Sequence, residues 1–205
     1  MNRVITYVDG FNLYFGLREK NWRRYYWLDL VGLSTSFLRG KQRLVHCHYF
    51  TARIRNRTGT EDARRQNTYL DALGTLRNLT IHFGHYLAKP RRCKVCGATW
   101  THYEEKMSDV NLAVQLLTDA YDDHFDTAII VSGDGDLTTP VRQVRQRFPR
   151  KRVLIAFPPA RRSDQLRGVA NGSFVIGQDK LRNNQLPDIV TTPSGHPLHR
   201  PAWWR

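Results

Sequence analysis

The sequence holds no apolar run approaching the ~20 residues that cross a bilayer, so a helical membrane protein is not expected. Its first residues, MNRVITYVDG, lack the apolar h-region and small-residue cleavage site of a secretory signal. A soluble, cytoplasmic chain with no membrane partner follows. Cysteine is scarce: Cys47, Cys93 and Cys96 are too few, and odd in number, for the disulfide framework of a secreted domain. No internal repeat or low-complexity segment interrupts the 205 residues, a length that suits one domain with extras rather than two. Acids are also scarce, with 18 Asp and Glu against 32 Lys and Arg, a net charge of +14. A polyanionic partner such as nucleic acid is the first suggestion, with plain solubility as the bland alternative. The excess is mostly Arg and is locally clustered: Arg53, Arg55 and Arg57; Arg64 and Arg65; Lys89, Arg91, Arg92 and Lys94; Arg142, Arg145, Arg147, Arg150, Lys151 and Arg152; Arg161 and Arg162.

What is present alternates between strand and helix patterns. RVITYVDG (3–10) is a β-branched run ending at Asp-Gly, a buried strand feeding a loop. Further strands are expected at 43–53, 79–87, 127–133 and 152–158, and helical spacing at 27–38, 61–78, 108–123 and 137–148. Such alternation predicts an α/β fold with a mainly parallel sheet covered on both faces. The stretch KPRRCKVCGATW (89–100) breaks the alternation and reads as a loop or small insert. From about Asn183 the chain turns polar and Pro-rich, and Trp203 and Trp204 are expected to dock this tail on the domain rather than to stack on nucleobases.

In open parallel α/β sheets ligands bind beyond the carboxyl ends of the strands, where the strand order reverses. Asp9 ends the first strand, Asp134 and Asp136 follow the fourth, and Asp109 opens the helix before it. Adjacent central strands would bring these four acids to one rim. Crowded carboxylates raise one another's pKa, and a hard divalent cation relieves the repulsion. Acids in a basic chain therefore suggest metal-assisted attack on a phosphodiester. Taken singly, each Asp is an ordinary cap or turn residue; the joint pattern carries the functional reading.

YVDGFNLYFGL, EEKMSDVNLAVQLL and VSGDGDLTTPVR, in this order, resemble the NYN domain, a branch of the PIN-like metal-dependent ribonucleases, over roughly Arg3 to Gly177. The resemblance implies a Rossmann-like, PIN-type three-layer sandwich and Mg²⁺- or Mn²⁺-dependent RNA hydrolysis. It implies a nuclease domain at 1–182, with the CxxC insert at about 88–103 and a tail at 183–205. Carried over, Asp9, Asp109, Asp134 and Asp136 hold the metal. Asn12 orients the metal site or substrate, Ser132 meets a phosphate or water, and Lys106 faces the scissile phosphate or pairs with Glu105 or Asp109. Arg91, Arg92, Arg142 and Arg145 are expected on phosphates. Many members carry an acid where this chain has Gln115, which leaves room for a lighter metal shell or an RNA-binding descendant that does not cut. DNA or a small phosphate ester is a further substrate alternative.

Cys93 and Cys96, with Gly97 after them, have the spacing of half a zinc knuckle. A structural zinc needs two more ligands; His85 is the candidate within the chain, and a Cys pair from a second copy in a homodimer is the other route. Two ordinary reduced thiols are the alternative. His46 and His48 are read as sheet residues. No protein partner is written into the sequence.

Overall fold

The computed structural model describes residues 1–54 and 60–205; Arg55 and Arg57 of the first basic cluster lie outside the described residues. The elements run β1 (Asn2–Asp9), α1 (Gly10–Glu19), α2 (Leu30–Thr35), β2 (Gln42–Ala52), α3 (Glu61–Leu73), β3 (Leu79–Arg92), β4 (Thr99–Lys106) and α4 (Ser108–Tyr121). They continue with β5 (Thr127–Val131), α5 (Thr138–Arg147), β6 (Arg152–Phe157), α6 (Asp164–Val169), β7 (Gly172–Val175), α7 (Gln178–Asn183), β8 (Ile189–Thr191) and β9 (Pro197–His199).

Seven strands form one sheet in the order β4-β3-β2-β1-β5-β6-β7, parallel except for the antiparallel β3–β4 pair. Period-two alternation along β1 divides the core in two. Val4 and Val8 pack on one face with Leu13, Leu17, Leu33 and Leu70, from α1, α2 and α3. Ile5 and Tyr7 pack on the other with Leu112, Leu116, Val141 and Leu166, from α4, α5 and α6. This is the expected three-layer α/β sandwich. Fully burying each such Leu or Val contributes roughly 1.5–3 kcal/mol, which is what holds the helices to the sheet. Among the described residues no helix is long and apolar enough to cross a membrane.

From β1 the chain moves outward through β2 and β3, and crosses by α4 to β5 on the other side of β1. The strand order therefore reverses between β1 and β5, whose carboxyl ends lie side by side with Val8 opposite Val131. The functional site is expected at that crevice.

Two elements differ from the sequence reading. Residues after Asp9 form α1 rather than a loop, because Asp9 accepts the Asn12 N–H as an N-cap. The stretch expected as a loop at 89–100 is the end of a hairpin: β3 continues to Arg92 and β4 returns, with His85 opposite Lys106 and Arg92 opposite Thr99. Beyond Gly84 this ribbon has left the parallel sheet and projects from its carboxyl edge. The C-terminal tail adds the β8–β9 pair, and Val190, Leu198 and Trp204 join the core on the α1–α3 side.

Candidate functional site

Three loops at the carboxyl edge of the sheet build the site. Asp9 is buried, 3% exposed, at the end of β1. Its Oδ1 accepts the Asn12 N–H at 3.0 Å and its Oδ2 accepts the Ser132 hydroxyl at 2.8 Å. The Ser132 Oγ in turn accepts the Asp134 N–H at 3.0 Å, and Asn12 Oδ1 accepts the Gly133 N–H at 2.8 Å. Asn12 and Ser132 thus brace the β1–α1 turn against the loop after β5. Ser132 is wholly buried and its hydroxyl is engaged by Asp9 and by the Asp134 backbone, so its place is beneath the site rather than on a substrate phosphate.

The opposite wall comes from the turn between β4 and α4. Met107 adopts a left-handed backbone at φ 82°, and the Ser108 N–H that opens α4 donates to Glu105 Oε1 at 3.0 Å. That turn brings Glu105 and Asp109 together across from Asp9 and Asp134. These four acids, with Asn12 and Arg161, line a cavity of about 190 Å³. Asp136 is exposed and outside this wall; its N–H donates to Asp134 Oδ1 at 2.9 Å.

Electrostatics mark the same place. Burial pushes the Asp9 carboxyl up to about 7, with Asp109 and Asp134 adding to the rise against the hydrogen bonds from Asn12 and Ser132. Asp109 is pushed up to about 6 by burial, then by the charges of Asp134, Glu105 and Asp136. Acids destabilised by burial and by one another suit a hard divalent cation. Among the described residues no group of three or more His, Cys, Asp or Glu is placed to hold a metal ion. The acids offer one or two carboxylates at a time, which would suit an ion that keeps most of its waters, as Mg²⁺ does.

Gly84 lets the β4–α4 turn approach the sheet: a Cβ there would lie 2.4 Å from the Lys106 carbonyl oxygen and 3.0 Å from Glu105 Oε1. Gly84→Ala is expected to displace that backbone, at about 1–3 kcal/mol of stability, and to shift Glu105 and Asp109 with it. Thermal unfolding reads the first effect. An unchanged midpoint would show that the turn is free to move.

Several residues expected at the site from the sequence lie elsewhere. Lys106 Nζ pairs with Glu104 Oε1 at 3.0 Å, not with Glu105 or Asp109, because alternation along β4 puts 104 and 106 on the face opposite 105. Lys89 also pairs with Glu104. Arg91 and Arg92 are exposed near the end of the hairpin, roughly 25 Å along the strand from Gly84. Arg142 lies one turn into α5, while Arg145 donates to the Val169 carbonyl at 2.7 Å. The basic stretch then runs to the amino end of β6, away from the acids, where Lys151 is buried against Asp123 and the Phe125 carbonyl. Gln115, in place of an acid, donates to Asp119 Oδ1 at 3.0 Å in a buried polar network behind the site.

The cysteine pair does not meet His85. His85 sits at the base of the hairpin opposite Lys106 and Cys93 follows its far end, some ~26 Å of strand away. The turn does aim the Cys96 and Val95 N–H groups at the Cys93 sulfur, which lowers its pKa. Two thiols are half of a zinc shell, so the residues of one chain do not fit structural zinc.

Sequence reasoning missed Glu105 and Arg161. Arg161 comes from the β6–α6 loop, bonds Glu19 Oε2 at 3.1 Å, and keeps a buried Nε with no hydrogen-bond partner among the described residues. A second cavity of about 230 Å³, aromatic in character, adjoins the acidic one and shares Phe11 and Phe15 with it.

The NYN domain profile matches residues 3–177. The chain belongs to the NYN domain family. The match covers every strand of the seven-stranded sheet, and with it a PIN-like nuclease fold. The chain is similar to 6-hydroxy-3-succinoylpyridine 3-monooxygenase HspA of Pseudomonas putida (strain DSM 28022 / S16). The two are 28% identical over 98% of this chain and 75% of that protein. It also resembles the crystal structure of a protein of unknown function from Vibrio parahaemolyticus RIMD 2210633. There the TM-score is 0.57 and the identity 22%, over 90% of this chain and 96% of that one, a likeness of fold alone.

Proposed function

We propose that this NYN domain is a divalent-metal-dependent endoribonuclease. The observation that carries the reading is the convergence of Asp9, Glu105, Asp109 and Asp134 on one cavity at the strand switch point of a chain with net charge +14. One or two of Asp9, Asp109 and Asp134 would hold Mg²⁺ or Mn²⁺, with the remaining acid and Asp136 adding charge from beside it. The ion would supply a water of lowered pKa and a counter-charge for the negative charge that develops on the attacked phosphate. Asn12 and Ser132 keep Asp9 and Asp134 in register. Arg161, whose partly exposed guanidinium lines the cavity, suits a non-bridging phosphate oxygen of the strand.

Cleavage of a labelled, unstructured RNA and its DNA counterpart in Mg²⁺, Mn²⁺ or EDTA tests this. Wild type is expected to cut RNA only with metal, and Asp134→Asn to lose that activity. If both proteins bind RNA equally and cut nothing across metals, the domain is an RNA-binding module instead. Arg161→Gln is expected to weaken RNA binding for all sequences alike and to lower the slope of log affinity against log salt by about one. An unchanged slope would remove Arg161 from the phosphate path.

A second reading is favoured by the aromatic cavity together with the Pseudomonas relative's name: oxidation of a small hydroxypyridine acid. Calorimetric titration of 6-hydroxy-3-succinoylpyridine tests it, since the nuclease reading predicts no specific uptake of that compound.

A further inference from the structure

The aromatic cavity is not explained by the carboxylates, and its position makes it more than a packing defect. Phe11, Tyr14 and Phe15 fall at i, i+3 and i+4 on α1, which Asp9 caps, so one helical face carries aromatics directly away from the acidic cavity. Phe11 and Phe15 line both spaces. Behind them Tyr14 lies against Tyr26 at 5.1 Å between ring centroids, and Tyr26 against Trp204 at 5.6 Å. Tyr14 and Phe15 remain 42% and 40% exposed, an unusual state for large rings beside an open cavity.

Size and charge narrow the occupant. A cavity of about 150 Å³ holds benzene, so one of about 230 Å³ takes a single flat ring system a little larger. At one edge Arg65 lies 4.7 Å from the Trp203 ring centroid and pairs with Asp62 at 2.6 Å, while the exposed Arg23 lies 4.1 Å from the same centroid. An aromatic slot beside a carboxylate cavity, with Arg23 close by, matches a planar base attached to an anionic backbone.

We infer that the cavity receives one unstacked base of the RNA strand whose phosphate lies at the carboxylates, with Arg23 meeting the neighbouring phosphate. This rests on the nuclease reading above and deepens it, because it adds a base-binding slot beside the phosphodiester site. The wall also sets the selectivity. Gln66 already donates to the Ala52 carbonyl and accepts the Ile54 N–H, and the Tyr69 hydroxyl donates to the Leu28 carbonyl. With these two groups engaged inside the protein, stacking on the rings carries more of the binding than reading of the base edges.

The test uses the full chain and short single-stranded RNAs carrying one 2-aminopurine, or one abasic site, walked along the strand, in EDTA to prevent cutting. At one position the wild-type protein is expected to quench 2-aminopurine emission, and an abasic site there to weaken binding. Tyr14→Ala, at a partly exposed ring, is expected to weaken binding of the base-containing strand by roughly 5- to 150-fold, the range for one stacked base. It should leave binding of the abasic strand unchanged. Exchanging A, C, G and U at that position is expected to change affinity by only a few fold. Equal binding of abasic and intact strands, with metal-dependent cleavage retained, would overturn the slot and leave the nuclease reading standing. If RNA is neither bound nor cut while 6-hydroxy-3-succinoylpyridine quenches tryptophan emission, both fall.

Discussion

Asp9→Asn is expected to abolish metal-dependent cleavage and, at the same time, to stabilise the metal-free protein above neutral pH. The amide keeps the shape of the carboxylate: Oδ1 still accepts the Asn12 N–H, and the new NH₂ faces Ser132 Oγ, which turns to accept it. On the nuclease reading, losing this buried carboxylate should reduce turnover at least on the order of 10³-fold, comparable with losing a preorganised charge-stabilising group. The stability effect follows from linkage. The folded carboxyl titrates near 7 against an ordinary value of 3.8, so between those pH values the folded chain binds the extra proton. Its stabilising contribution is therefore complete below about 3.8 and is lost as pH rises towards 7, on the order of 4 kcal/mol in all. The Asn variant has no such slope. In EDTA its melting point should overtake that of wild type between pH 5 and pH 8 by roughly 8–15 °C. Mg²⁺ should close the gap at pH 8 and do little at pH 5, where protons occupy the carboxyl. Parallel melting curves across pH would show that Asp9 carries no such strain, and retained cleavage would remove it from the site.

The acids at element ends were legible because their neighbours announce those ends. Asp9 follows a β-branched run, Asp134 follows TAIIV, and Asp109 opens an apolar-periodic helix. Glu105 was not, since its arrival depends on the left-handed turn at Met107 and on β4, a strand with solvent on both faces and so without apolar alternation. Once β4 is known, period two alone sends Lys106 away from Glu105, and the length of the hairpin separates His85 from the cysteines. Helix α1 was hidden by a glycine that packing demands: a Cβ on Gly10 would lie 2.7 Å from the Phe50 carbonyl oxygen. Read locally, Asp-Gly spells a turn; in the sandwich it is a cap followed by a close helix–strand contact. Arg161 reaches the acids through the β6–α6 loop, and no spacing along the chain encodes that approach.

Asp119→Ala is expected to be strongly destabilising. Asp119, 3% exposed, sits on α4 and accepts from the Tyr7 hydroxyl at 2.7 Å, Gln115 Nε2 at 3.0 Å and His124 Nδ1 at 3.1 Å, with His48 Nε2 at 3.3 Å. His48 Nδ1 lies 2.9 Å from His82 Nε2, extending the network across β2 and β3. Burial raises the Asp119 carboxyl, but the hydrogen bonds from His48, Tyr7 and His124 overcome it and hold the group well below the usual range. Alanine leaves the Tyr7 hydroxyl and the His48 ring in the core without their acceptor, a loss of about 3–5 kcal/mol, or roughly 6–20 °C in melting point. Gln115→Ala removes only one partly exposed donor and should cost about 1 kcal/mol or less. Because the folded pKa is depressed, the stabilisation is fully present above the ordinary carboxylate value of 3.8, declines below it and is lost as pH falls through the folded pKa. The gap between wild type and Asp119→Ala should accordingly narrow in acid, where urea unfolding at pH 7 and pH 3 would read it. A constant gap would assign the loss to the cavity alone. Tyr7 lies two residues before Asp9 and Asp119 shares α4 with Asp109, so the same network fixes two walls of the acidic cavity relative to each other. Activity should therefore fall in Asp119→Ala even at temperatures where it remains folded.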